Sequence, residues 1–181
     1  LELNSFAQPH PFELKEISTY ICEFLSQKAP ELITTYALEP FNVNVLNYKR
    51  TFCEKISAVA RASYESDENY TQIKEKIRHF FDIYFLMNES EIKEFVNSDE
   101  FADMIAKVRT DDQNQFSNSD WSSVDLHSTK IFTDTKKILG ELSNFYSNNF
   151  SELVYAQTMP TVDEIIEEIE KLSKILISKK L

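Results

Sequence analysis

A single glycine, Gly140, in a chain of 181 residues is the feature that most narrows the fold. Tight β-hairpin turns place residues at positive φ, where glycine is the usual occupant. A sheet built from successive tight hairpins is therefore disfavoured, while helices need no glycine at all. The same scarcity removes the loops that cradle phosphates or present nucleophiles. There is no Walker A loop, no dinucleotide fingerprint and no GxSxG elbow. The 19 Lys and Arg against 30 Asp and Glu leave a net charge of −11. Spread evenly, that charge would repel nucleic acid and anionic lipid. Length and composition thus describe a soluble, acidic, mostly helical chain that can bury a core without metal or disulfide staples.

The hydrophobic periodicity fills in this outline. Leu1–Phe6 reads as a short strand, stopped by Pro9 and Pro11. Ile17, Ile21, Phe24 and Leu25 recur at helical spacing and predict a helix over Phe12–Lys28. Phe41–Leu46 alternates apolar and polar residues and predicts a half-buried strand. Thr51-x-x-Glu54 has the form of a capping box, with a helix start near Tyr48 as the alternative boundary. Ile73, Ile77, Phe80, Phe81 and Tyr84 predict another helix after a polar break at Glu65–Asn69. Ser90–Asn97 and Phe101–Val108 read as short helices, and Asp111–Asp125 as a polar loop holding Trp121. Ile131–Tyr146 reads as a helix interrupted near Gly140. A last helix starts at Pro160-Thr161-Val-Asp-Glu164, acids first and bases last, as the helix dipole favours. The expected fold is mainly α, a helical bundle with a few short strands at its N-terminal edge.

The first residue is Leu, and Leu1-Glu2-Leu3 alternates like a strand already under way. A start inside a longer protein and a trimmed N-terminus both fit. No window is apolar enough to span a bilayer, and no secretory leader is visible, so a cytoplasmic protein without membrane association is expected. Cys22 and Cys53 read as buried apolar residues, and His10, His79 and His127 show no zinc spacing. No metal site is expected within the chain, and any ion would need carboxylate ligands.

Two segments concentrate the chemistry: Arg50-Thr51-Phe-Cys-Glu54-Lys55 and Arg78-His-Phe-Phe-Asp82-Ile-Tyr84. Lys74, Arg78 and Asp82 stand at i, i+4 and i+8 and share a helix face. One reading is an ordinary solvated i,i+4 pair, worth a few tenths of a kcal/mol. The other is a cleft in which Lys55 and Arg78 neutralise phosphate oxygens while Asp82 orients a cation or accepts a proton. Tyr48–Asp82 carries a net charge of +1, against −12 over the rest of the chain. The candidate segment is thus the stretch that escapes the acidic bias. The phenylalanines and tyrosines read as core rather than as a base-stacking platform.

At these residues the sequence resembles the nucleotidyltransferase toxins of bacterial abortive-infection systems, the AbiEii/AbiGii family, within the DNA polymerase-β-like group. Val43-Asn-Val-Leu46 with Arg50-Thr-Phe-Cys-Glu-Lys55 is similar to a "V-x-V-L…RT-x-x-E-K" block. Arg78-His-Phe-Phe-Asp82-Ile-Tyr84 is similar to an "R-D-x-x-D-x-Y" helix. Trp121, Phe145-Tyr146 and Leu153-Val-Tyr155 before Pro160 extend the likeness over nearly the whole chain. The resemblance implies that Lys55 and Asp82 are catalytic and that Arg78, with Lys55, contacts nucleotide phosphate. Glu2 is similar to a carboxylate on a late strand of the nucleotidyltransferase sheet. His79 departs from the family, which usually has Asp there. The larger departure is the missing glycine-serine motif and acidic pair that hold Mg²⁺ and the nucleoside triphosphate.

The resemblance therefore implies the C-terminal part of a Mg²⁺-dependent nucleotidyltransferase toxin, inactive as these residues alone. Residues 1–88 would be the second part of the nucleotidyltransferase domain and 89–181 a C-terminal helical domain. A nucleoside triphosphate, an acceptor such as tRNA, and a cognate antitoxin are the implied partners. The alternatives are a non-catalytic helical interaction module and a degenerate relative that keeps only the fold.

Overall fold

The structure, a computed structural model, describes residues 10–115, 120–154 and 158–181. Contacts divide the chain after Tyr48 into two units, the second being Lys49–Leu181. The expected strand at Leu1–Phe6, and Glu2 with it, lies outside the described residues.

In the first unit, β1 (Phe12–Ile17) pairs antiparallel with β2 (Phe41–Leu46), Phe12 facing Leu46 and Ile17 facing Phe41. Between them run α1 (Tyr20–Lys28) and α2 (Glu31–Thr35). β2 has the bounds its alternation predicts. The helix expected over Phe12–Lys28 is corrected: its first six residues are β1. The reason is twofold. The pairing with β2 is a non-local contact that helical spacing cannot register. Thr19 then accepts a hydrogen bond from the Cys22 amide at 3.1 Å and caps a helix that starts only at Tyr20. Ile17, counted in the helical period, is the last residue of the strand.

The second unit holds the core. α3 (Tyr48–Glu65) buries Phe52, Ile56 and Val59 completely. Its start at Tyr48 places Thr51 inside the helix, so the expected capping box does not form, and Glu54 accepts instead from Arg50. Asp67 ends the break that follows by accepting from the amides of Asn69 and Thr71 and from the Thr71 hydroxyl. α4 (Thr71–Glu75) and α5 (Ile77–Asn88) come next. α5 buries Ile77, Phe80, Ile83 and Met87 along one stripe at helical spacing.

α6 (Ser90–Asn97) and α7 (Asp99–Gln115) turn back on the core through Ile92, Phe95, Phe101 and Ile105. Asp111 and Asp112 sit in α7 rather than in a loop. They are held there by α3: Arg50 donates to Asp111 at 2.6 Å and Arg61 to Asp112 at 3.4 Å. Trp121 is fully buried in a 3₁₀ turn, with the Arg109 guanidinium 5.3 Å from its ring centre. The stretch expected as one interrupted helix is α8 (Lys130–Thr133), α9 (Thr135–Glu141) and a π-helical turn at Phe145–Phe150.

Gly140 lies within α9, not at the break. The Ile131 amide donates to the Ser63 hydroxyl at 2.8 Å, and Ser173 donates to the Phe132 carbonyl at 3.0 Å; these two hydroxyls fix α8. α10 (Val162–Lys179) starts with the predicted capping box between Thr161 and Glu164. It packs Ile165, Ile169, Leu172 and Leu176 inward. Among the described residues the architecture is mainly α with one two-stranded sheet, as the composition implies.

Candidate functional site

α3 and α5 position the site. On α3, the residues on either side of Lys55 differ in role. Phe52 and Ile56 anchor the helix in the core, and Lys55 emerges between the buried stripe and solvent. On α5, Asp82 occupies the equivalent flank beside buried Ile83. Their side chains meet across the two helices, Lys55 Nζ to Asp82 Oδ2 at 2.6 Å. The Lys55 side chain is 20% exposed and that of Asp82 37%. A pair so open to water adds little to stability, about 1 kcal/mol or less.

Arg78 lies one turn before Asp82, on the exposed side of α5. Spacing suggests Arg78 as the natural partner of Asp82; the structure gives Asp82 a partner 27 residues away in sequence. His79 is half-buried between these groups. Burial, and then the positive charges of Lys55, Arg78 and Lys76, push its pKa down to about 3. Its Nδ1 is buried without a hydrogen-bond partner. The ring is therefore neutral at physiological pH. A carboxylate at this position would instead have offset those cations.

Arg50, also in the RT-x-x-E-K block, faces away from solvent. It is 4% exposed and bonded to both Glu54 and Asp111. Its role is to join α3 to α7. The motif thus divides into a buried structural arginine and a half-exposed lysine. Burial pushes the Asp112 carboxyl up, and Arg61 beside it partly opposes that rise.

Surface cavities of about 450 Å³ and 590 Å³ open elsewhere in the second unit. The first is lined by residues Phe132–Lys137 with Glu170, the second by Lys136, Ser143, Ser147 and the start of α10. Neither is lined by Lys55, Arg78 or Asp82. Among the described residues no three His, Cys, Asp or Glu side chains gather closely enough to hold a metal ion. Asp82 is already engaged by an ammonium. These residues do not fit a resident Mg²⁺. No helix among the described residues is long and apolar enough to cross a membrane.

The class is given by a family match: a nucleotidyltransferase-like toxin. Residues 1–168 match the family described as nucleotidyl transferase AbiEii toxin, type IV toxin–antitoxin system, and the chain belongs to that family. No curated protein and no solved structure gives a significant match. Neither the burial of Arg50 nor the exposure of Phe85 follows from local sequence spacing. The signal for Arg50 was present in Asp111-Asp112, a carboxylate pair 61 residues downstream.

Proposed function

We propose that Lys55, Asp82 and Arg78 serve transfer of a nucleotide from a nucleoside triphosphate onto an RNA acceptor such as tRNA. The observation that supports this most is the 2.6 Å contact that joins the two family motifs, Lys55 on α3 and Asp82 on α5. In the reaction an acceptor oxygen attacks the α-phosphorus, the α–β phosphoanhydride bond breaks, and pyrophosphate leaves. The acceptor hydroxyl gives up its proton to solvent water. Charge on the phosphate oxygens is what the protein must neutralise. Lys55 and Arg78 supply cations, and Asp82 holds the Lys55 ammonium in place. Neutral His79 adds no negative charge to oppose them.

In this reading Mg²⁺ is bound by carboxylates other than those described. Residues 1–88 form the second part of the nucleotidyltransferase domain, and 89–181 a C-terminal helical domain. The β1–β2 sheet then extends that domain's sheet. A cognate antitoxin partners the toxin, as in a type IV system. The test uses the full-length gene product with Mg²⁺, labelled nucleoside triphosphates and total RNA. Label should pass to RNA, and Lys55→Ala should lower the rate at least about 100-fold while the circular dichroism spectrum is kept. Undiminished transfer by Lys55→Ala overturns the proposal.

A further inference from the structure

Packing gives no account of the imidazole at His79. Around α5, Arg78, Asp82, His79 and Ile83 follow one another at steps of about 40°, 60° and 40°, from a turn of 100° per residue. Burial grades the same way: Arg78 is exposed, Asp82 and His79 are half-buried, and Ile83 is fully buried. His79 thus lies one step deeper than Asp82, on the flank where Asp82 meets Lys55 of α3. Its Nδ1 is sealed from water and has no hydrogen-bond partner. A neutral imidazole carries one N–H and one lone pair, so the sealed nitrogen leaves one of the two unused. Burial and three neighbouring cations also refuse the ring a second proton. Each of these costs stability that an apolar side chain would keep. Nε2 is different. Among the described residues it makes no hydrogen bond, and it is not sealed. It is the ring nitrogen that a ligand can reach.

The surroundings of the ring select that ligand. Lys55, Arg78 and Lys76 are the cations that act on it. The potential that repels a second proton attracts an anion. Asp82, three residues on, is already engaged by the Lys55 ammonium at 2.6 Å. A phosphate oxygen suits both features, because it is drawn to the cations and accepts from an N–H. Facing such an anion, the ring carries its proton on Nε2, since a lone pair there would repel the oxygen.

We propose that His79 is a binding residue for the nucleoside triphosphate: Nε2–H donates to a phosphate oxygen held beside Lys55 and Arg78, and Nδ1 keeps its lone pair inside the protein. This contact rests on the nucleotidyltransferase reading and adds a third phosphate ligand to its site. His79 takes no part in bond making. Its departure from the family pattern then has a consequence, because an Asp there would set a negative charge against the triphosphate.

The test uses the full-length gene product with Mg²⁺. Inorganic tripolyphosphate and each of the four nucleoside triphosphates are titrated in by calorimetry, without RNA. Gln reaches as far as Nε2 with an amide N–H, whereas Asn reaches only as far as Nδ1. His79→Asn should weaken binding of tripolyphosphate and of the preferred nucleotide about 10- to 150-fold, the range of one hydrogen bond to a charged group. His79→Gln should restore most of that loss, and His79→Asp should bind no better than His79→Asn. In label transfer, His79→Asn should raise KM for the nucleotide far more than it lowers kcat. Binding by His79→Asn equal to the parent overturns the contact. So does His79→Gln binding no better than His79→Asn, which would make the residue merely structural. A parent that binds none of these probes overturns it too. If His79→Asn loses a fluorescein-labelled oligoribonucleotide but not tripolyphosphate, the ring serves the acceptor strand and the proposal fails.

Melting curves check that each variant is folded. His79→Leu, which fills the same space without an N–H, repeats the test should His79→Asn melt early, and the same loss is expected. Label transfer run in parallel separates the two ideas. Lys55-dependent transfer with nucleotide binding indifferent to His79 overturns this contact and leaves nucleotidyl transfer standing. His79-dependent binding without Lys55-dependent transfer does the reverse.

Discussion

His79 shows how much one residue can report about the site. Its ordinary pKa is 6.5 and its folded value about 3. Below about pH 6.5 the unfolded chain gains a proton that the folded chain refuses until near pH 3. The contribution to stability is therefore complete above about pH 6.5 and is lost as pH falls, with a slope approaching about 1.4 kcal/mol per pH unit. His79→Gln cannot gain that proton, so its stability should fall less steeply between about pH 7 and about pH 5. Urea titrations of both proteins at the two pH values measure the difference. Arg50 offers a second test. Asp111→Ala removes the 2.6 Å partner of a buried guanidinium and should cost about 1.5–3 kcal/mol in urea unfolding. Lys55 and Asp82 are both legible in sequence as motif residues. Their pairing is not, because i,i+4 spacing favours Arg78 and only the packing of α3 near α5 brings Lys55 to the carboxylate.

At the scale of elements, the lone glycine sits where none is needed. Gly140 is in α9 at negative φ, and an added Cβ would meet nothing within 4 Å. Positive φ is taken instead by Ala37, Tyr70 and Lys180, at 50°, 56° and 56°. Lys180 ends α10 in the left-handed conformation that glycine usually supplies. Gly140→Ala should raise stability by about 0.5–1 kcal/mol, since helical Ala loses less backbone entropy on folding. Lys180→Gly relieves a Cβ clash of about 1–2 kcal/mol, and the freer unfolded chain takes back about half of that. Thermal melts of the two variants should both shift upward. The elements that local rules describe were readable: α10 from its capping box, β2 from its alternation, α6 from its apolar spacing. β1 was not, because its partner lies 34 residues from Phe12, at Leu46. Nor was the end of α7, whose polar residues Asp111 and Asp112 are stabilised by arginines from another helix.

Across the whole molecule, apolar burial is unevenly divided. Among the described residues, every buried apolar side chain except Cys22 belongs to Lys49–Leu181. Before it, Leu14, Tyr20, Ile21, Phe24, Tyr36 and Phe41 are each at least 50% exposed. Those side chains obey the periodicity of core residues without being covered, so pattern alone overstates how much of this chain is core. The energetic consequence follows from area. A two-stranded sheet with two short helices buries too little to offset its chain entropy. The second unit carries buried residues from α3 through α10. Residues 49–181 expressed alone should therefore unfold in urea as a single sigmoidal transition by far-UV circular dichroism. Residues 1–48 alone should show a shallow, non-cooperative change. A cooperative transition in the shorter piece, or its absence in the longer one, would mean that stability is not distributed as burial is.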